Sequence, residues 1–597
     1  MFWRCPEEEV ETLKEQRRIV VIGGVACGPK AASRARRCDP KAKITVIEQG
    51  EFISYAVCGL PYYISGVIKE RGALLVRTPA FFKKVAGIDV LTKTHVLSIN
   101  RAAHVVETVN IETGQPSTIS YGKLVLATGA NPITPLVPGH NLKGIFTLKE
   151  MPDADTILTL ITSQRAKKAV IIGAGVIGME MAEALVTRGL KVTVVETLDR
   201  VLPTILDSEM AAFLSRHLER QGVNLLLGQN VTAFEGDSKG RAHRVVTEST
   251  TLEADLVLSA MGVRPDTKLA EEAGLVIGPT GATSVNKYLQ TSDPDIYAGG
   301  DCVENNHLIT GARVYFPSGS TANKHGRVIG TNVTGGHETF PGILGTSVLK
   351  VFDFTAGRVG LGEGEARAAG YDVVTSLVPN PDHAHYYPGA KDILVKLLAA
   401  RKTGVILGGQ VVGRGEVAKH INILATALTL GCNVDTLANL DLGYAPPYDS
   451  VVSPVHNAAN VIRNKVSGLA KGLGPAEVKA KIAGNEDFIL LDVRDKEEWE
   501  RWRIEAPQHK LLPQEELRER CRELPKDKEI ITMCRRGIRA YQAQRTLEGE
   551  RFSNVKFLDG SIVAWPYETV GSEQNDNKLL LQTDALPISS SLEEDSP

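Results

Sequence analysis

Aromatic residues make up only 5% of this 597-residue chain, and no apolar run approaches the ~20 residues that cross a bilayer. The opening MFWRCPEEEVETLKEQRR puts acidic residues where a secretory signal needs an apolar core, so a cytoplasmic protein with no membrane partner is expected. Neither sign of charge is in excess. Lys+Arg number 68 and Asp+Glu 70, a formal charge of -2, which gives no field for gathering nucleic acid or an anionic surface. Cysteine is sparse as well: Cys5, Cys27, Cys38, Cys58, Cys302, Cys432, Cys521 and Cys534 include no Cys-x-x-Cys pair and no His/Cys cluster at zinc spacing. No metal is expected, and in a reducing compartment most of these residues should be buried thiols. The partners left are small molecules.

The length instead implies several cores, at roughly 100 to 200 residues per domain. RRIVVIGG reads as a buried strand running into glycines, PKAASRARR as a helix and KITVIEQ as a second strand. The pattern returns in KKAVIIGAGVIGMEMAEALVTRGLKVTVVE, so two dinucleotide-binding βαβ units are expected. In the second, Gly173, Gly175 and Gly178 complete a Gly-x-Gly-x-x-Gly turn, whose bare backbone lets a pyrophosphate reach a helix N-terminus. Glu196 ends the following strand, where a carboxylate accepts both ribose hydroxyls and repels a 2'-phosphate. This favours NADH, while nearby Arg200 leaves NADPH open. The first unit keeps the outer glycines, Gly23 and Gly28, with Val25 between them and Glu48 at the ribose position. LVLATGANP places Thr128 and Gly129 at a strand end, and TSDPDIYAGGDC supplies Asp301 as a carboxylate for a ribityl or phosphate-linked hydroxyl.

That order of motifs resembles the FAD-dependent pyridine nucleotide-disulfide oxidoreductases over roughly residues 18 to 460. The resemblance implies two Rossmann-like α/β domains for FAD and NAD(P)H and an α+β dimerisation domain, hence a homodimer. On that basis an N-terminal extension occupies 1–17, the FAD domain 18–149 and 276–340, the NAD(P)H domain 150–275 and the dimerisation domain 341–461. The stretch 462–484 is expected to be a tether, and the tail 570–597 to be disordered.

Members with two redox cysteines carry Cys-x-x-x-x-Cys, but the positions five away from Cys58 are Ile53 and Tyr63. A single thiol can form a mixed disulfide, a persulfide or a sulfenic acid. The segment SYAVCGLPYY resembles the Ser-Phe-x-Asn-Cys-Gly-Leu-Pro-Tyr pattern of coenzyme A-disulfide reductases, departing at Tyr55 and Val57. The resemblance marks Cys58 as catalytic and brings in coenzyme A as substrate or bound thiol. Ser54, Arg36 and Arg37 become substrate-binding candidates, the arginines because guanidinium groups suit phosphate. It also implies that Tyr387 in HYYPGAKD and Tyr444 in LDLGYAPPYDS attend the partner protomer's thiol as proton donors. NADH oxidases and peroxidases share the fold but usually carry histidine where this chain has Ala26. Neighbouring Cys27 is expected to be a small packing residue.

From Phe488 to Glu568 the chain resembles a rhodanese, so a fourth α/β domain is placed at 485–569. CRRGIRA can curl so that successive N–H groups and a helix N-terminus face Cys534, stabilising a thiolate and its persulfide. Arg535, Arg536 and Arg539 add positive charge, with Arg539 also able to brace the loop through Asp492 or another carboxylate. The expected activity is NAD(P)H-dependent reduction of coenzyme A disulfide, coenzyme A persulfide or polysulfide through Cys58, with Cys534 carrying sulfane sulfur. Two alternatives stay open: a peroxidase or oxidase cycling Cys58 sulfenic acid, and a sulfur-trafficking protein whose flavoprotein half is a scaffold.

Overall fold

Ile19, Val20, Val21 and Ile22 form an unbroken buried run because the strand Arg18–Ile22 lies mid-sheet, covered on both faces. The computed structural model describes residues 17–571. The extension before Arg17, with Cys5, and the tail beyond Gly571 lie outside them. The described residues divide into two units: residues up to 205 with 215–352, and 206–214 with residues from 353 onward.

In the first unit, the strands Ile296–Ala298, Lys123–Leu126, Arg18–Ile22, Lys43–Ile47 and Asp89–Leu91 form a parallel sheet in that spatial order. Ile22 pairs with both Ile47 and Leu126, so Gly23, Glu48 and Ala127 leave the sheet at one edge. The helix Cys27–Cys38 packs on Gly319–Asn332 at a distance that only glycine permits. A Cβ on Gly326 would lie 2.5 Å from the Cys27 carbonyl oxygen, and one on Gly330 would lie 2.5 Å from that of Ala31.

The second parallel sheet runs Val223–Leu227, Lys191–Glu196, Lys168–Ile172, Leu256–Ser259, Ile145–Phe146. Ile145–Phe146 joins it before residue 150. An antiparallel link of Ala130–Pro132 with Val263–Pro265 returns the chain before residue 275.

In the second unit, Phe354–Gly360, Ile406–Gly413, Asp392–Ala400 and Val373–Pro381 form an antiparallel sheet accompanied by the helices Val417–Thr429 and Pro454–Val466. The buried Lys396 ammonium meets Asp207 and Glu363 at 2.8 Å and Glu209 at 2.5 Å. A further parallel sheet runs Gly472–Leu473, Val555–Leu558, Glu529–Met533, Phe488–Asp492, His509–Leu511.

The tether expected over 462–484 is instead structured. Gly472–Leu473 is an edge strand, and Pro475–Ala483 is a helix with Pro in its first turn and the Glu477 carboxylate accepting the Gly474 N–H. Val478 is fully buried on that helix, so its apolar face outweighs the basic, glycine-containing composition. At the other end, Val570–Gly571 pairs with Trp502–Arg503, so order extends into the first two residues of the expected tail.

Candidate active sites

Both glycine turns are built alike. Gly23 and Gly173 have φ of +108° and +103°. A Cβ there would strike the carbonyl oxygen of Ala127 at 2.1 Å or Ala260 at 2.5 Å. A Cβ on Gly28 or Gly178 would lie 1.9 or 2.1 Å from the Gly23 or Gly173 carbonyl oxygen, whereas space beside Gly175 is open. Each turn leads into a twelve-residue helix, Cys27–Cys38 or Val176–Thr187.

The two acidic residues repeat one geometry. Glu48 accepts the Gly24 and Gly50 N–H groups, both at 2.7 Å; Glu196 accepts those of Ala174 at 2.7 Å and Leu198 at 2.9 Å. Each carboxylate is fixed at its strand end, as a ribose acceptor requires. Burial raises the Glu48 carboxyl pKa against those two N–H bonds.

Asp301 accepts the Ser318 N–H at 3.2 Å, and burial raises its pKa as well. A buried carboxylate with spare acceptor capacity fits hydroxyl donors such as a ribityl chain. The Thr128 hydroxyl donates to the Asp266 carbonyl at 2.7 Å. Gly129, at φ +75°, completes the turn by accepting the Asp266 N–H at 2.9 Å. Cys27 is buried against the glycines of the Asp301 loop, and burial drives its thiol pKa well up.

Cys58 is exposed in the turn Val57–Gly59, which opens the helix Leu60–Ser65. Its thiol pKa is raised, first by the protein packed round it and then by the Glu180 and Asp301 carboxylates. The Tyr62 hydroxyl donates to Glu180 at 3.4 Å. Burial pushes Glu180 to about 7, while burial and the Glu180 charge push Tyr62 to about 12. Glu180 thus joins the thiol to the second glycine helix, a residue the motif reading passed over. Its signal was a carboxylate two positions after Gly178 in a helix otherwise apolar but for Glu183 and Thr187. Tyr63 and Arg71 both reach Asp155, at 3.3 and 2.8 Å, and brace the Cys58 segment.

Ser54 serves through its backbone, at φ +48°: its N–H donates to Gly24 O at 2.7 Å and its carbonyl accepts from Val76 at 2.9 Å. The Arg36 guanidinium donates to the carbonyls of Ala86, Pro40 and Gly87 at 2.9, 2.7 and 2.8 Å, which fixes its position at the helix end. Arg37 is exposed.

In the second unit the Tyr444 hydroxyl lies 3.1 Å from that of Tyr386, a partner that sequence alone did not indicate. This bond raises the Tyr444 pKa. Tyr387 packs its ring edge-on to His383, with centroids 5.9 Å apart, and His383 contacts Asp382 at 2.8 Å.

Cys534 is fully buried between Glu529–Met533 and the helix Ile538–Gly549. The Gly537 N–H points at its Sγ from 3.1 Å, with Gly537 at φ +112°. Arg539 forms a two-pronged bond with Glu498, at 2.7 and 2.8 Å, and Asp492 is taken by Arg494 at 2.7 Å. Arg536 pairs with Asp392 at 2.8 Å, so two of the three loop arginines are held by carboxylates. The Arg535 carbonyl accepts the Val563 N–H at 3.2 Å.

Residues 17–326 match the family described as pyridine nucleotide-disulphide oxidoreductase, residues 346–455 its dimerisation domain, and residues 474–567 the rhodanese-like domain. The chain belongs to the pyridine nucleotide-disulphide oxidoreductases. Within that family it is similar to the CoA-dependent NAD(P)H sulfur oxidoreductase of Pyrococcus furiosus, 38% identical over 75% of this chain and 100% of the relative.

Two solved structures match across both the oxidoreductase and rhodanese parts. One is an NAD-dependent persulfide reductase from A. fulgidus, 44% identical with a TM-score of 0.87, covering 92% of this chain and 100% of that one. The other is reduced CoADR-RHD from Bacillus anthracis, 37% identical with a TM-score of 0.87, covering 92% and 97%. The oxidoreductase part is accordingly FAD- and NAD(P)H-dependent, and the two glycine cradles with Glu48, Asp301 and Glu196 fit those nucleotides. Among the described residues no helix is long and apolar enough to cross a membrane.

Proposed function

We propose that this chain is a cytoplasmic homodimeric reductase that uses NADH to cleave coenzyme A persulfide, coenzyme A disulfide or polysulfide at Cys58, with Cys534 holding sulfane sulfur. The observation that carries this reading is the accessible lone thiol of Cys58 beside the Tyr62–Glu180 pair, in a chain that also keeps a buried, N–H-lined thiol at Cys534. The carboxylate at Glu196, fixed by two backbone bonds, favours NADH over a cofactor with a 2'-phosphate. FAD, when bound, supplies the two-electron relay between nicotinamide and sulfur.

The chain's own residues handle protons and sulfur. Cys58, as thiolate, attacks one sulfur of the substrate bond; a mixed disulfide or persulfide forms and the other sulfur leaves as thiolate. Tyr387 and Tyr444 of the dimerisation domain protonate that leaving group. Two electrons then break the new sulfur bond, returning Cys58 to thiolate and releasing a thiol or sulfide. The sum is one NADH and one proton consumed per bond cleaved. Glu180 sets the charge beside the thiol: neutral, it permits the thiolate, and ionised, it opposes it.

Anaerobic NADH consumption with coenzyme A disulfide, coenzyme A persulfide and polysulfide in parallel tests the reading, with peroxide as a fourth substrate. Cys58→Ser should abolish turnover with every sulfur substrate, and Cys534→Ala should mainly impair persulfide transfer. Full-rate polysulfide reduction by C58S would sink the mechanism, and faster turnover with peroxide than with any sulfur compound would favour the sulfenic acid cycle.

A further inference from the structure

Gly537 gives the sulfur loop its donor and also its weak point. Its N–H reaches Cys534 Sγ at 3.1 Å and its backbone stands at φ +112°, a region in which glycine moves at little cost. A donor on so free a residue stays aimed only if the peptide before it is held. That peptide joins Arg536 to Gly537.

Each residue of the loop has its own anchor. The Cys534 carbonyl accepts the Ile562 N–H and the Arg535 carbonyl accepts the Val563 N–H, both at 3.2 Å. Arg536 is held through its side chain: the guanidinium donates to the Asp392 carboxylate at 2.8 Å, while its Nε is buried without a hydrogen-bond partner. Asp392 opens the strand Asp392–Ala400 of the antiparallel sheet, 144 positions before Arg536 and outside the rhodanese-like residues 474–567.

A second contact repeats the arrangement on the facing turn. Asp559, just after the strand Val555–Leu558, pairs with Lys465 of the helix Pro454–Val466, and the Lys465 ammonium also donates to the Thr375 carbonyl at 2.9 Å. A Cβ on Gly560 would lie 3.3 Å from the Leu377 carbonyl oxygen. The turn that supplies the Ile562 and Val563 N–H groups therefore rests on the same antiparallel sheet.

We propose that Asp392 is a positioning residue for the Cys534 site: by holding Arg536 it keeps the Gly537 N–H on the sulfur, so that a strand of the dimerisation domain sets the reactivity of the sulfur-carrying thiol. The proposal deepens the assignment of sulfur custody to Cys534 and rests on it. Removing Asp392 has two effects of opposite sign. Slack in the 536–537 peptide withdraws a donor from the thiolate, whereas an unmasked Arg536 charge favours it. The Arg536 and Asp392 side chains are 19% and 24% exposed, so water screens that charge, and the N–H in contact with sulfur prevails.

The test uses the full-length flavoenzyme and methyl methanethiosulfonate, a small neutral probe that transfers a methylthio group to a thiolate and releases methanesulfinate. Labelling of Cys534 is read by peptide mass spectrometry at pH 7 and at pH 9.5, where a thiol is mostly ionised unaided. The ratio of the two rates cancels any change in access to the buried sulfur. Asp392→Ala and Arg536→Ala should each lower that ratio about fivefold, the size of a typical net hydrogen bond. The double variant should lower it no further.

A pair that only braces the fold would lower melting and leave the ratio unchanged, and an unchanged ratio in D392A would overturn the proposal. So would a ratio raised in D392A and lowered in R536A, which reports charge masking, or losses that multiply in the double variant, which report two independent roles. Undiminished sulfur transfer in C534A would overturn the custody assignment instead, and the labelling result would stand apart from it.

Discussion

Replacing Glu180 with glutamine removes the charge beside Cys58 and keeps the side-chain shape. Burial raises the Glu180 carboxyl from 4.5 to about 7, so between those values the folded chain holds a proton that the unfolded chain has released. The stability from that proton is fully present below pH 4.5 and is lost as pH rises through 7. The whole interval corresponds to about 3 kcal/mol, and water reaching the half-buried carboxyl reduces this to about 1–2 kcal/mol. E180Q should therefore match the parent near pH 5 and exceed it by about 1–2 kcal/mol near pH 8.5. A chain of several domains does not unfold in one step. The assay is thus the urea midpoint of flavin release, followed by flavin fluorescence, which reports the first unit alone. The same substitution removes the second-largest influence holding up the Cys58 thiol, so alkylation of Cys58 at pH 8 should accelerate severalfold. A stability difference that is equal at both pH values would refute the buried, half-ionised carboxyl. An unchanged alkylation rate would refute its action on the thiol.

Gly178→Ala would drive a Cβ to 2.1 Å from the Gly173 carbonyl oxygen and displace the second glycine helix. The KM for NADH should rise at least about tenfold, near 1.4 kcal/mol, while flavin content stays at the parental level. Lys396→Met would leave the part-exposed carboxylates of Asp207, Glu209 and Glu363 without their shared cation, costing about 2–3 kcal/mol at neutral pH once solvent screening is allowed for. Lys396 helps hold the Glu363 carboxyl below its ordinary range against burial, so acid should narrow the deficit; a deficit equal at pH 5 and pH 8 would argue against stranded charge. Arg536→Ala and Asp392→Asn should each lower the melting of the second unit by about 1–2 kcal/mol. The double variant should cost no more than either one, and additive losses would show that the 2.8 Å pair contributes nothing as a pair.

How far sequence reached depended on whether a function is written in the backbone or in the meeting of distant side chains. Gly23, Gly28, Gly173 and Gly178 were legible because each has its steric reason within one strand-turn-helix, and Glu48 and Glu196 because a carboxylate at a strand end is positioned by its own turn. The Cys534 loop was readable for the same reason, being four residues closed by one glycine. Arg36 shows the limit: its residue type suits phosphate, but that Ala86 and Gly87, about fifty positions away, hold its guanidinium could not be read from its own segment. Glu180 lies beyond that limit too, since Tyr62 sits 118 positions away. Composition misled at 462–484, where glycine and lysine suggested a tether while Pro475, Glu477 and buried Val478 made a helix. For Arg36 and Glu180, contact partners far along the chain decide the role. Glu180, whose charge acts on Cys58, is of that kind, while both sulfurs sit in local turns that the sequence displays.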